Sequence, residues 1–210
     1  VTTIGACAFS GCTSLTSITI PRSVTTLYSF AFSGCTGLTS VTVPGNIINL
    51  DRSIFVGCTG LKSATISDGV KYIPNDMFNG CTSLSSITIP DSVVTIYSAA
   101  FRDCTALTNI TIPSSVTSID FSAFKGCTAL TSITVPGNAI DRFFNELHNF
   151  PSLTKVTISS GAIKDYAFQN CGDLKTIKIS DGVTSIGDQA FLYCTSLTSI
   201  TIPNSVTTIG

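Results

Sequence analysis

Cysteine recurs along this chain at a fixed interval of 23 residues, and this interval constrains the fold more than any other feature. The regularly spaced cysteines are Cys12, Cys35, Cys58, Cys81, Cys104 and Cys127, followed by Cys171 and Cys194. Each of them has a phenylalanine three positions before it, and each of the first six has a leucine three positions after it. A fixed period in this range predicts a solenoid, in which each unit buries its apolar face only against its neighbours.

The chain begins and ends at the same position of the repeat. Val-Thr-Thr-Ile-Gly opens the chain at Val1 and recurs at Val206. Nine units lie between, eight of 23 residues and one of 21 that covers residues 162–182. We therefore expect residues 1–210 to form a single array. Since neither end carries the polar, atypical unit that seals a solenoid, we also expect the array to be a segment of a longer protein.

Each unit contains one alternating apolar segment, such as the run from Leu107 to Ile112, which predicts a short strand that ends at Pro113. Each unit also has a second extended part, the return arm, which contains Val93 and Ile96 in this unit. Both side chains are predicted to point inward, and the arm is either a second short strand or an extended segment. The run from Ala99 to Cys104 predicts one helical or 3-10 turn. The predicted strands centre on Ile18, Val41, Ala64, Ile87, Ile110, Ile133, Val156, Ile177 and Ile200.

The order Leu-x-x-Ile-x-Ile-Pro, then Val-x-x-Ile, then Ala-Phe-x-x-Cys resembles the BspA-like leucine-rich repeats over essentially the whole chain. Proline stands where most leucine-rich repeats have asparagine, which is itself a mark of this subclass. The resemblance implies a right-handed leucine-rich-repeat solenoid, with its parallel β-sheet on the concave face and short helical, 3-10 or extended segments on the convex face. It also implies a secreted or cell-surface microbial protein that serves in adhesion and in host or matrix binding.

Nine cysteines raise the alternatives of metal ligands, disulfides or buried thiols. Stacked residues have parallel Cα–Cβ bonds, which hold their Cβ atoms farther apart than the mean of about 3.8 Å that a disulfide prefers. Phe150 takes the cysteine position in one unit, which indicates an apolar packing slot, so we predict buried, reduced thiols. Replacing Cys81 by serine should then destabilise, because the hydroxyl would lack a partner. Cys7 lies outside the column and either pairs outside this segment or fills a small core position, which we favour.

The unit from Ala139 onward departs from the repeat pattern. Ile140, Phe143, Phe144 and Leu147 recur at the spacing of one helical face. We predict the longest helix of the chain over residues 139–150, either as a repacked flank or as a protruding contact site. His148, the single histidine, has no catalytic partner arranged around it.

Polar residues occupy the outward positions of every predicted strand, and this surface is the candidate binding site. The pattern is almost entirely Ser and Thr up to Thr134 and then changes, with Lys155 and Lys178 on the same face and Lys175 close by. Rows of Ser and Thr side chains suit a strand surface that faces water, and they also suit contact with polar ligands. The predicted contact residues are Asn109, Thr111, Ser132, Thr134, Lys155, Thr157, Thr176 and Lys178.

The charge and the motifs of the chain argue against several classes of function. A net charge of -1 without a basic stripe argues against nucleic acid, and no apolar run is long enough to span a bilayer. No paired carboxylates, Cys/His pair or phosphate-binding loop occurs at meaningful spacing, so we predict neither an enzyme nor a cofactor. We expect a protein- or glycan-binding module of the adhesion type. The alternative is a stiff spacer that presents other domains. Regular rows of threonine can also match an ice lattice, but this requires a flat sheet, and a curved sheet would lose the match within a few strands.

Overall fold

Short parallel strands stack unit upon unit to form a β-solenoid in the computed structural model, which describes residues 1–120, 122–140 and 151–210. One strand of each unit after the first contributes to a first layer, which carries the candidate site. Its strands are β3 (Ser40–Val43), β5 (Ser63–Ile66), β7 (Ser86–Thr88), β9 (Asn109–Thr111), β11 (Ser132–Val135), β12 (Lys155–Ile163), β13 (Thr176–Ile186) and β14 (Ile200–Thr201).

The return arms form a second layer of shorter strands, which resolves the alternative left open above in favour of strands. They are β1 (Thr3–Ile4), β2 (Thr26–Leu27), β4 (Asn49–Leu50), β6 (Tyr72–Ile73), β8 (Thr95–Ile96), β10 (Ser118–Ile119) and β15 (Thr208–Ile209). Strands β12 and β13 are long enough to run through both layers. Every pair of strands in the described residues is parallel, and most partners are one 23-residue period apart, as in Val41 opposite Ala64.

The structure confirms eight of the nine predicted strands and contradicts the one centred on Ile18. Residues 15–20 form no strand, although the pattern Ile18-Thr19-Ile20 matches that of the other units. The Thr39 N–H still donates to the Thr16 carbonyl, but residues 18–20 line a cleft against β3 instead of bonding to it. A strand requires such ladder bonds, so none forms around Ile18.

The predicted helical turn from Ala99 to Cys104 is instead a chain of hydrogen-bonded turns. The Arg102 N–H donates to the Ala99 carbonyl and the Cys104 N–H donates to the Phe101 carbonyl. Ala99 has φ of 54° and Asp103 has φ of 57°, and this left-handed backbone stops a right-handed helix from continuing. The described residues contain one helix, the 3-10 turn Gly137–Ala139.

The longest-helix prediction falls mostly outside the described residues. Ala139 and Ile140 are fully buried, as expected for an inward apolar face. Phe143, Phe144, Leu147 and His148 lie in residues 141–150, which the structure does not describe.

One unit is two residues shorter than the 23-residue period. The pairing of β12 with β13 adjusts to the shorter unit at a corner between the two layers. Strands β12 and β13 stay paired from Lys155 opposite Thr176 to Ile163 opposite Ile186. Their register shifts twice, between Ile158 and Ser160 and again between Gly161 and Ala162. The deficit therefore lies before Ile163, and the ladder resumes beyond it.

Phenylalanine rings form a continuous stack along the core. The rings of Phe9, Phe32, Phe55, Phe78, Phe101 and Phe124 follow one another at centroid distances of 5.1–5.6 Å, with planes within 10° of parallel. All except Phe9 are fully buried. Phe168 and Phe191 continue the same arrangement at 5.3 Å in the last units. Each of the four inner rings, Phe32, Phe55, Phe78 and Phe101, therefore lies between the rings of the units on either side.

The periodic cysteines are free thiols, as predicted, and six of the eight are buried. Cys12 is exposed and Cys194 is half-buried, because they lie in the first and last units, which have a neighbour on one side only. Cys7 is exposed, so the expectation that it fills a core position is wrong.

A carbonyl oxygen accepts from each thiol along most of the column. The Cys81 Sγ donates to the Phe55 carbonyl at 3.2 Å, and Cys58 donates to the Phe32 carbonyl at 3.1 Å. The same contact recurs at Cys35, Cys104, Cys127 and Cys194. The expectation that a serine at position 81 would lack a partner is therefore wrong, since the Phe55 carbonyl is in place to accept from a hydroxyl.

Left-handed backbone recurs one position before each periodic cysteine, and most units have glycine there. Tyr193 occupies that position in the last complete unit with φ of 60°, and its side chain is 65% exposed. A left-handed conformation costs a residue with a Cβ about 1–2 kcal/mol, and asparagine tolerates it better.

We expect Tyr193→Asn to raise the free energy of unfolding by about 0.5–1 kcal/mol, because it relieves this strain and removes few contacts. Denaturant unfolding followed by circular dichroism measures the change. Tyr28→Asn is the matched control, since Tyr28 is 48% exposed and is not among the residues with positive φ. An equal gain in both variants would contradict the backbone explanation.

Candidate functional site

The eight predicted contact residues come together on four adjacent strands of the first layer. One row runs across the strands as Asn109, Ser132, Lys155 and Thr176. The next row runs as Thr111, Thr134, Thr157 and Lys178. We refer to these eight residues as the C-terminal patch.

Alternation along each strand directs the patch to solvent. In β9, exposed Asn109 and Thr111 flank Ile110, which is 4% exposed. In β12, exposed Lys155 and half-buried Thr157 flank the fully buried Val156. The apolar residues fix the register against the core, so the polar residues are held in rows by the packing beneath them.

Two lysines interrupt the hydroxyl surface of the patch. Lys155 lies opposite Thr176, and Lys178 lies opposite Thr157 on the neighbouring strand, so the lysines are diagonal neighbours. At a strand spacing of about 4.8 Å and a rise of about 3.3 Å per residue, their Cα atoms lie roughly 8 Å apart. Both side chains are exposed, and neither forms an ion pair with an acidic group of the described residues. The patch therefore presents two neighbouring positive charges among neutral donors and acceptors.

Hydroxyl, amide and ammonium side chains give the patch both donors and acceptors for polar binding. Asn109 Nδ2 donates to the Thr108 hydroxyl at 3.2 Å, and the Thr131 hydroxyl donates to the Thr108 carbonyl at 3.0 Å. Within residues 1–120, 122–140 and 151–210, no three His, Cys, Asp or Glu side chains are placed to hold a metal ion. The helix formed by the described part of the chain lacks the length and apolarity needed to cross a bilayer.

Sequence reasoning missed a cavity at the other end of the array. A cleft of about 730 Å³ opens between the first unit and β3, where the predicted strand around Ile18 failed to form. We call it the N-terminal cleft. Its walls include Ile18, Ile20 and Val41, and its rim carries Arg22 and Asp68 together with several hydroxyls. No sequence signal marked it, since Ser17 to Pro21 matches the strands that pair normally.

Solved structures of bacterial leucine-rich repeat proteins share this architecture. A leucine-rich repeat protein from Bacteroides ovatus aligns at 24% identity with a TM-score of 0.51, over 100% of this chain and 78% of its own. A leucine-rich repeat protein from T. pallidum aligns at 22% identity with a TM-score of 0.54, over 76% of this chain and 78% of its own. At these identities the similarity establishes the fold alone. No curated protein matches the chain.

The family assignment rests on the repeat itself. The family model described as a BspA type leucine rich repeat region, with six copies, matches residues 1–108 and again residues 94–210. The two matches overlap and together cover every unit. The stacked Phe and Cys columns and the parallel ladders are the physical counterpart of the matched pattern, and the chain belongs to the BspA-type leucine-rich repeat family.

Proposed function

We propose that this array is a non-catalytic binding module, of a secreted or cell-surface protein, that contacts anionic protein or glycan ligands through the C-terminal patch. The observation that carries the proposal is the change in the exposed rows. In β3, β5 and β7 these rows contain Ser and Thr alone, as in Ser40 and Thr42. The C-terminal patch breaks that uniformity with an asparagine and two lysines on a continuous four-strand surface.

The chemistry of the patch favours a ligand with carboxylate, sulfate or similar groups. Hydroxyl and amide side chains both donate and accept, so they suit sugars and peptide backbones alike. Lys155 and Lys178 add charge of one sign in one place. An exposed ion pair contributes only about 0–1 kcal/mol, so useful affinity needs several rows at once or many copies on one surface.

Reversing both patch charges provides the test. We expect the double variant Lys155→Glu, Lys178→Glu to bind immobilised heparin or an acidic matrix protein on the order of 10-fold more weakly than wild type, with a smaller dependence on salt. Biolayer interferometry at 50 and 150 mM salt measures both quantities. The matched control is Lys71→Glu, Lys125→Glu, which changes the net charge equally at exposed sites outside the patch.

Each outcome separates the proposal from its alternative. Equal loss in both double variants would show a dependence on net charge and would contradict a localised site. Unchanged binding in the patch variant would also contradict it. An array that binds neither type of ligand would favour a spacer, which the uniform rows of β3, β5 and β7 would suit equally well.

A further inference from the structure

The N-terminal cleft exposes backbone groups of an edge strand. Strand β3 is the terminal strand of the ladder β3–β5–β7. On its other side, the residues facing it, 17–20, form no strand. The described residues therefore leave one edge of β3 without a ladder, and such an edge is a template for a further strand.

The register identifies which backbone groups face the cleft. In a parallel ladder the N–H and C=O of alternate residues point to the same neighbouring strand. The Ser67 N–H donates to the Val43 carbonyl at 2.9 Å, and Val41 lies opposite Ala64, so Val41 and Val43 serve β5. By alternation, Ser40 and Thr42 direct their N–H and C=O groups toward the cleft.

Hydrogen bonds close the cleft at both ends. At one end the Thr39 N–H donates to the Thr16 carbonyl at 3.2 Å. At the other end, Asn46 Nδ2 donates to the carbonyls of Arg22 at 2.5 Å and Val24 at 2.7 Å. The chain between these contacts, residues 40–45, leaves room for an extended segment of about four residues, at about 3.3 Å per residue.

The walls of the cleft match such a segment. Its volume of about 730 Å³ lies within the roughly 300–1,000 Å³ range of ligand pockets. Ile18, Ile20 and Pro44 supply apolar surface, and among the described residues no aromatic side chain of the kind that stacks on sugar rings lines the cleft. Arg22 and Asp68 add one positive and one negative charge to the lining of the cleft. A bound peptide could therefore carry a charged residue of either sign next to its apolar residues.

We propose that the N-terminal cleft binds an extended peptide segment of a protein partner, which adds to β3 as a fourth strand. Main-chain hydrogen bonds to Ser40 and Thr42 give affinity, and the apolar wall selects apolar side chains at alternate positions. This site is separate from the C-terminal patch and does not depend on the function proposed for it.

The test uses a short capped peptide and reads binding at the cleft itself. The probe is acetyl-Ser-Ile-Thr-Ile-amide, titrated into the ¹⁵N-labelled chain and followed by amide chemical shifts. We expect saturable shifts centred on residues 40–45. Methylating the two isoleucine nitrogens removes donors without changing the side chains, and should weaken binding on the order of 10-fold.

Two variants at one position separate backbone pairing from side-chain contact. Thr42→Pro removes the N–H that faces the cleft and leaves the bonds to β5 in place, a substitution that edge strands tolerate. It should weaken binding on the order of 10-fold. Thr42→Val keeps the N–H and removes only the hydroxyl, so its affinity should stay within about 2-fold of wild type.

Several results would overturn the proposal. They are equal binding of the methylated peptide, wild-type affinity in Thr42→Pro, and shifts that lie away from residues 40–45. Saturation of the same amides by cellotetraose, with no response to the peptide, would assign the cleft to glycans instead. The comparison of the two peptides on wild-type protein remains decisive even if Thr42→Pro does not fold.

Discussion

Replacing Phe78 by alanine should lower the free energy of unfolding by about 3–5 kcal/mol, the usual cost of deleting a fully buried phenylalanine ring. Phe78 is 0% exposed and stacks on Phe55 and on Phe101, at 5.6 Å from each. The deletion removes ring contacts with two units at once, and in a solenoid each unit is stabilised by its neighbours alone. Guanidinium unfolding followed by circular dichroism measures the loss.

Position in the array supplies the matched control. Phe9 occupies the same place in the first unit, but it is 36% exposed and stacks on Phe32 alone. Phe9→Ala should therefore cost roughly 1–2 kcal/mol, since less area is buried there. Equal losses at Phe9 and Phe78 would contradict the view that neighbours on both sides set the contribution of each ring.

Raising the pH from 8 to 11 should destabilise the array through its buried thiols. Burial raises the pKa of Cys58 and of Cys127 from the ordinary value of 9.0 to about 12, although a backbone hydrogen bond partly offsets this. Their contribution to stability is fully present below pH 9 and is lost as the pH rises from 9 through 12, because only the unfolded chain ionises there. Each such thiol costs about 1.4 kcal/mol per pH unit, or about 3 kcal/mol at pH 11.

The slope with pH identifies the thiols as the cause. A double variant Cys58→Ala, Cys127→Ala should start less stable at pH 8 but lose stability less steeply between pH 9 and 11. Cys7→Ala removes an exposed thiol and should leave the slope unchanged. Identical slopes in wild type and in the double variant would show that other groups control the alkaline transition.

The repeat pattern predicted the layered core correctly because each unit packs mainly on copies of itself. Phe55 stacks on Phe32 one period away, and the Cys58 thiol donates to the Phe32 carbonyl, so one unit is enough to predict the inward columns. The outward rows follow from the same alternation, which predicts Lys155 and Lys178 on one face, as the register of β12 and β13 confirms. Their binding role remains a prediction.

The repeat pattern did not predict the local backbone conformation. The run from Ala99 to Cys104 has the composition of a helical turn, yet left-handed residues at Ala99 and Asp103 make it a series of turns. Likewise, the acceptor for the Cys81 thiol is a carbonyl 26 residues earlier, which depends on how the turns of two units align.

The period, the inward columns and the parallel stacking follow from the sequence, because the same residue types recur in nearly every unit and each unit packs on its neighbours. Packing between units decided the outcome around Ile18 and at the short unit. Ile18 lies in the same residue pattern as the strands that form, yet residues 18–20 line a cleft instead of pairing with β3. The missing two residues are absorbed by register shifts before Ile163, because the fully buried residues on either side cost more to displace than the half-buried corner between them.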